Sequence, residues 1–314
     1  MGTPEFAVAS LKALVSDGFN VVAVITSVDK PSGRGKKIKY SAVKEYALEN
    51  NLRLFQPEKL KDETFVADLK SVNADLQVVV AFRMLPEVVW DMPSKGTINL
   101  HASLLPQYRG AAPINHAIIN GETKTGLTTF FLDKQIDTGR IINQAEVEIT
   151  NNDNAGSLHD RMMIKGADLI LETVNEILED DVKSIDQSTF MSNDVALKHA
   201  PKIFKDDCAI NWNNSAKTVY DFIRGLSPYP GAYTTLKSTE NSPIYIKVYS
   251  AETEIGMHSY EIGSVLWDKK EMKIAVTNGF VNLKEIQQSG KRRMRATDFL
   301  QGVNIESKYL AELI

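Results

Sequence analysis

Over residues 1–181 short apolar runs alternate with amphipathic stretches, and this alternation constrains the fold more than any other feature. Few architectures satisfy it besides a parallel sheet with helices packed on its faces. Residues 20–26, 52–55, 76–82, 97–100 and 127–132 read as buried strands. Residues 141–149 alternate, with Ala145, Val147 and Ile149 on one face and Gln144, Glu146 and Glu148 on the other, as a half-exposed strand does. Between them the spacing predicts helices over 4–16, with Thr3 as cap and Pro4 in the first turn, and over 41–50. Met163, Ala167, Ile170, Val174 and Ile177 step by four and three, the signature of one long amphipathic helix.

The alternation stops at the acidic run 179–181. Residues 182–207 carry no sustained period and are expected to link two domains, 1–181 and 208–314. In the second, Val219, Phe222, Ile223 and Leu226 form one helical face that ends at Ser227-Pro-Tyr-Pro-Gly231. Short strands follow near 232–236, 244–249, 264–267, 273–277 and 281–287, the pattern of a small OB-like β-barrel.

A chain of 314 residues with 43% hydrophobic and 24% charged residues has ordinary globular composition, which excludes disordered, collagenous and coiled-coil classes. The longest apolar stretch, 76–82, is far short of the roughly 18 residues a spanning helix needs, so no membrane anchor is expected. No secretory signal is readable, and the single cysteine, Cys208, leaves no internal disulfide or cysteine-based zinc cluster. The expected compartment is the cytosol, and the expected state a monomer.

The net charge of −4 argues against a general nucleic-acid coat, but the charge is uneven. Residues 208–314 hold 13 basic and 11 acidic side chains, leaving the excess of acid in 1–207. Two basic clusters stand out: Lys30, Arg34, Lys36, Lys37 and Lys39, and later Lys291, Arg292, Arg293 and Arg295. Isolated runs of this kind are commonly only solvated surface.

No Walker loop, GxGxxG, HExxH or GxSxG occurs, so the usual sequence support for nucleotide hydrolysis, dinucleotide redox chemistry, zinc proteolysis and serine hydrolysis is missing. The segment richest in chemistry is 98–110, INLHASLLPQYRG, where a strand ends in Asn99 and His101. Ligands of open α/β sheets gather outside the carboxyl ends of the strands, and residues two apart on a strand point the same way. An amide donor and an imidazole therefore project together. Ile136-Asp-Thr-Gly139, a turn between apolar strands, can bring Asp137 to that histidine. In such a trio Asn99 could stabilise an oxyanion, His101 move protons, and Asp137 orient the imidazole or assist it. The plainer alternative is that Asn and His at a strand end only satisfy a turn or the core. His116, His159, His199 and His258 have no evident chemical partner in the sequence and read as structural or exposed.

Seven ordered segments carry a resemblance: Gly2-Thr-Pro-Glu-Phe-Ala7, Asp29-Lys-Pro-Ser-Gly-Arg-Gly-Lys-Lys37, Phe55-Gln-Pro57, Asn99-Leu-His101, Ser103-Leu-Leu-Pro106, Tyr108-Arg-Gly-Ala-Ala-Pro113 and Asp137-Thr-Gly139. Together, over nearly the whole chain, they resemble the methionyl-tRNA formyltransferases. The resemblance implies a Rossmann-like formyltransferase domain followed by an OB-like barrel. It implies transfer of the formyl group of 10-formyltetrahydrofolate to the amino group of methionyl-initiator tRNA, without metal or redox centre. It places the catalytic trio on Asn99, His101 and Asp137, the folate-contacting loop on Ser103, Leu104, Leu105 and Pro106, and tRNA contacts on the two basic clusters. Residues 30–39 are then expected as a glycine-containing, irregular arm that grips tRNA.

Three departures from the family pattern stand out. Ala102 replaces a glycine beside the histidine, residues 81–86 differ from a glycine-bearing stretch near the folate pocket, and relatives carry a short strand ahead of the segment matching Met1-Gly-Thr-Pro. From the last, a natural start several residues upstream of Met1 is expected. Two other readings compete: a sugar-nucleotide or glycinamide-ribonucleotide formyltransferase, for which the basic arm would be superfluous, and a noncatalytic OB-type RNA-binding protein, for which the trio would be.

Overall fold

The computed structural model describes residues 1–32, 37–191, 196–302 and 308–313. The chain divides into two units, Met1–Gly110 with Thr125–Glu148 and His159–His199, and Ala111–Lys124 with Ile149–Leu158 and Ala200–Ile314. The second unit thus takes two segments from within the first two hundred residues.

In the first unit strands Gln77–Val80, Thr97–His101, Lys124–Phe131 and Ile141–Glu148 lie side by side in that order. Val24–Ile25 pairs in parallel with Leu54–Phe55. Met1 and Gly2 lie between the two groups: the Gly2 amide donates to the Ile25 carbonyl at 3.1 Å, and the Val80 amide donates to the Met1 carbonyl at 2.9 Å. A parallel sheet was the expectation, and it holds for 77–80 beside 97–101. The next strand breaks it. Lys124–Phe131 runs antiparallel to 97–101, setting Ile98 opposite Phe131 and His101 opposite Thr128.

Helix Glu5–Ser16 begins at Pro4 without a side-chain cap, so Thr3 does not serve as one; Ser41 and Asp62 do cap Ala42–Glu49 and Glu63–Ser71 through their side-chain oxygens. The long helix Ala155–Leu178 buries Met162, Ala167, Ile170, Val174 and Ile177, while Met163, expected on that face, is only half-buried. It lies close on the 97–101 strand: a Cβ built on Gly166 would stand 2.8 Å from Leu100 Cδ2. The buried hydroxyls of Thr129 and Thr173 add a 2.8 Å hydrogen bond between sheet and helix. Leu100 therefore faces the helix, and by strand alternation Asn99 and His101 face the other way.

In the second unit the strands Val265–Trp267, Met272–Val276, Gly279–Gln288, Ile244–Ile255, Ala232–Lys237 and Leu310–Ala311 pair in that order. Ser264 bridges Leu310, and the Ala311 amide donates to the Gly263 carbonyl at 2.8 Å, which joins the two ends of the sheet into a nearly closed barrel. Closure removes the exposed strand edges that invite aggregation. Trp212 is fully buried in this core, and its indole N–H donates to Thr234 Oγ1 at 3.0 Å. Trp212→Ala should lower stability by about 3–5 kcal/mol, the usual cost of emptying such a site. Denaturant unfolding of the intact chain followed by barrel-strand hydrogen exchange reads this; an unchanged midpoint would remove Trp212 from the core's chief anchors.

Candidate active site

Asn99 and His101 stand on the carboxyl half of the 97–101 strand, opposite Phe130 and Thr128 of the neighbouring antiparallel strand. The His101 side chain is only 8% exposed, and its Nε2 lies 2.8 Å from the Tyr108 carbonyl. A carbonyl can only accept, so Nε2 carries the hydrogen. Nδ1 is then the nitrogen free to do chemistry. It faces Asp137 Oδ2 at 3.9 Å, an ion-pair distance when the ring is protonated but too long for a hydrogen bond. Asn99 is half-buried, and among the described residues nothing hydrogen-bonds its side-chain amide.

Asp137 reaches the histidine because of its turn. Asp133 Oδ1 accepts hydrogen bonds from the Gln135 amide, 2.9 Å, and the Thr138 hydroxyl, 2.7 Å, closing residues 133–138 on themselves. Asp137 itself has φ 57°, a left-handed conformation that Asp tolerates better than most residues. Its Oδ2 accepts the Gly110 amide at 2.9 Å. Two residues on, a Cβ at Gly139 would fall 1.6 Å from the Phe131 carbonyl oxygen, so only glycine fits.

One residue that ties this site together escaped the sequence reading. Gln187 is 2% exposed and donates from Nε2 to the carbonyls of Asp137, 2.9 Å, and Gly139, 2.8 Å. Its Oε1 accepts from Arg109 Nη2 at 2.6 Å and Nε at 3.1 Å. It lies in the 182–207 segment, expected to be a bare linker, which in the structure supplies this amide as well as the Ile185 bridge to Ile141. Nothing in the local pattern marks it, since a single amide in an aperiodic stretch has no periodic signature.

The loop Ser103–Pro106 follows directly. Ser103 is fully buried, its hydroxyl donating to the Gln107 carbonyl at 2.6 Å, and Leu105 is buried against Phe130 and Ile141. Thr128 Oγ1 donates to the Ser103 carbonyl and accepts the Leu105 amide, while Gln144 Nε2 donates to the Leu105 carbonyl at 2.9 Å. Leu104 is half-buried and Pro106 buried. The loop is thus a rigid wall whose own polar groups are largely paired. Lys134 pairs with Glu87 at 3.1 Å, joining the 133–139 turn to the 81–90 segment, and the exposed apolar side chains Met84, Val88 and Ile136 lie on these two segments.

The two ends of the first basic cluster pair with each other, where an irregular arm was expected. Lys30–Ser32 pairs antiparallel with Lys37–Lys39, placing Lys30 opposite Lys39. Pro31 discourages but does not prevent this, because it lies in a two-stranded ribbon with a free edge. Arg34 and Lys36 lie outside the described residues. In the second cluster Lys291, Arg292 and Arg295 are exposed, whereas Arg293 is held by Glu285 at 2.6 Å and by the Tyr249 ring, 4.2 Å away.

Comparison with known proteins identifies the family. Residues 1–174 match the formyl transferase family and residues 202–304 the formyl transferase C-terminal domain. Among solved structures, WlaRD, a sugar 3N-formyl transferase solved with dTDP and 5-N-formyl-THF, superposes with a TM-score of 0.64 at 20% identity, over 93% of this chain and 97% of that one. An N-formyltransferase from Helicobacter canadensis gives 0.62 at 20% identity, over 91% and 97%. The fold is therefore that of the formyl transferases. Methionyl-tRNA formyltransferase of Bacteroides thetaiotaomicron is 56% identical over 98% of this chain and 96% of its own length, and that of Flavobacterium johnsoniae 53% identical over 98% and 96%. The chain belongs to the methionyl-tRNA formyltransferases.

Proposed function

We infer that this enzyme moves the formyl group of 10-formyltetrahydrofolate onto the α-amino group of methionine esterified to initiator tRNA, in the cytosol. The observation that carries this reading is identity above 50% over almost the whole of both chains with methionyl-tRNA formyltransferases. The solved sugar formyltransferases share the fold at 20% identity, which does not extend to the acceptor they use. Incubation with both substrates, followed by hydrolysis of the tRNA, should release N-formylmethionine; free methionine alone would refute the reading.

The proposed chemistry follows from the donors and acceptors at hand. The Asn99 amide, without a hydrogen-bond partner among the described residues, donates to the formyl oxygen as negative charge gathers there. His101 uses Nδ1, because Nε2 is committed to Tyr108: neutral, it takes a proton from the amine as the new C–N bond forms, and protonated, it returns that proton to N10 as the bond from the formyl carbon to N10 breaks and tetrahydrofolate leaves. Asp137 faces Nδ1 with a negative charge and so supports the imidazolium. The reading assigns the folate contact to Ser103, Leu104, Leu105 and Pro106. The chain's own residues bind, polarise and move protons, and the reaction as written calls for no metal.

For tRNA, the reading assigns phosphate contacts to Lys30, Arg34, Lys36 and Lys37 and to Lys291, Arg292, Arg293 and Arg295. Each phosphate-pairing side chain removed should lower the slope of log affinity against log salt by about 0.7–0.9. Lys291→Ala, Arg292→Ala and Arg295→Ala together should weaken tRNA binding at low salt and flatten that slope, with the Michaelis constant for 10-formyltetrahydrofolate unchanged. Filter binding over a salt series measures it; an unaltered slope would remove this cluster from the tRNA surface. Arg293, already engaged with Glu285, should contribute least.

A further inference from the structure

The basic hairpin 30–39 cannot hold its own direction. A two-stranded ribbon is marginal in water, and here the cross-strand register sets Lys30 against Lys39, like charges face to face. Ile38 is 68% exposed, so the ribbon gains little from packing on a core. Whatever aims it must act at its two roots, Asp29 and Tyr40.

Both roots meet one buried cation. Lys44, in the first turn of helix Ala42–Glu49, has a side chain only 11% exposed, and its Nζ lies 2.5 Å from Asp29 Oδ2. The same Nζ stands 3.8 Å from the centroid of the Tyr40 ring. Gln56, just after strand Leu54–Phe55, donates from Nε2 to Asp29 Oδ1 at 2.9 Å and to the Ser27 carbonyl at 2.8 Å. Ser41, next to Tyr40, caps the helix through the Lys44 amide at 3.1 Å and shares a 2.8 Å hydrogen bond with the buried Thr26 hydroxyl. The hydrogen bonds from Lys44 and Gln56 hold the Asp29 carboxyl below its ordinary range, so it is a carboxylate at neutral pH.

We propose that Lys44, with Asp29 and Gln56, is a positioning clamp that fixes both roots of the basic hairpin and so sets the angle at which it meets tRNA. Lys44 is not itself a phosphate ligand. It is buried, its ammonium is shared between a carboxylate and a ring, and both partners are the residues flanking the hairpin. Fixing the two roots before tRNA arrives lowers part of the ordering cost of the binding step. The proposal rests on the hairpin being a tRNA contact, as argued above.

Three variants of the full chain test it in steady-state formylation. Lys44→Met, of similar length but uncharged, should raise the Michaelis constant for charged tRNA about tenfold, with kcat at saturating tRNA and the constant for 10-formyltetrahydrofolate within about twofold. Because it takes the cation from half-buried Asp29 and leaves only the Gln56 amide donating to it, Lys44→Met should also lower the melting temperature. Adding Asp29→Asn should restore the melting temperature and leave the tRNA constant high, which separates positioning from stability. Lys30→Ala with Lys39→Ala removes charge from the hairpin and leaves the clamp intact, and should also raise the tRNA constant. If that pair raises it while Lys44→Met does not, or if Asp29→Asn restores it along with the melting temperature, the clamp is overturned. If neither variant changes it, the hairpin's role in tRNA binding falls, and the clamp with it.

Discussion

Asn99→Ala should lower turnover about a hundred- to a thousandfold while leaving the fold intact, the usual cost of deleting one oxyanion donor. The amide has no partner among the described residues, so its removal strands nothing and the loss should appear in kcat rather than in stability. His101→Ala should be comparably damaging, and it also frees the Tyr108 carbonyl, which accepts from Nε2. Asp137→Asn separates two tasks. It can keep the bond from the Gly110 amide, now 2.9 Å, but removes the negative charge facing Nδ1. If that charge matters, Asp137→Asn resembles Asp137→Ala in turnover and the wild type in melting temperature. Single-turnover rates with prebound substrates measure all four, and near-normal chemistry in Asn99→Ala would end its assignment as the donor.

Gly139→Ala should be the most disruptive single methyl in the first unit. The added Cβ would lie 1.6 Å from the Phe131 carbonyl oxygen, and backbone rather than a flexible side chain must give way. Overpacking of this kind costs about 1–3 kcal/mol or more. The turn it would push carries Asp137, and a shift of about 1 Å in a catalytic group can cost about a hundredfold in rate. Both melting temperature and kcat should therefore fall. Gly256, where a Cβ would meet nothing within 4 Å, supplies the control: Gly256→Ala should change neither. Equal behaviour of the two variants would contradict the account of the turn.

The parts of this protein legible in its sequence are those with a period. The barrel strands and the long helix were foreshadowed, because burial imposes alternation on one and a three-to-four step on the other, though the strand expected over 244–249 runs on to Ile255 and the helix begins at Ala155, well before Met163. The side chains of Asn99, His101 and Asp137 could be singled out because each sits where a strand ends or a glycine forces a turn. Illegible were features fixed by tertiary contact. Gln187 is an amide in an aperiodic segment that acts only because Arg109 and two carbonyls surround it. The reversal of 124–131 depends on the path of the connection 102–123, not on the strand's own composition, which suits either direction. The hairpin at 30–39 contains proline and like charges, which argue for an irregular loop, and it forms with its roots fastened by Lys44, a residue outside the charged run.

The central claim is that the acceptor is the amino group of methionine on initiator tRNA. Offering the enzyme methionyl-initiator tRNA and a dTDP-linked amino sugar together, with 10-formyltetrahydrofolate carrying a labelled formyl group, tests it in one vessel. The account predicts label in N-formylmethionine released from the tRNA and none in the sugar. Label in the sugar, or tRNA retained by the protein with no label transferred, would contradict it.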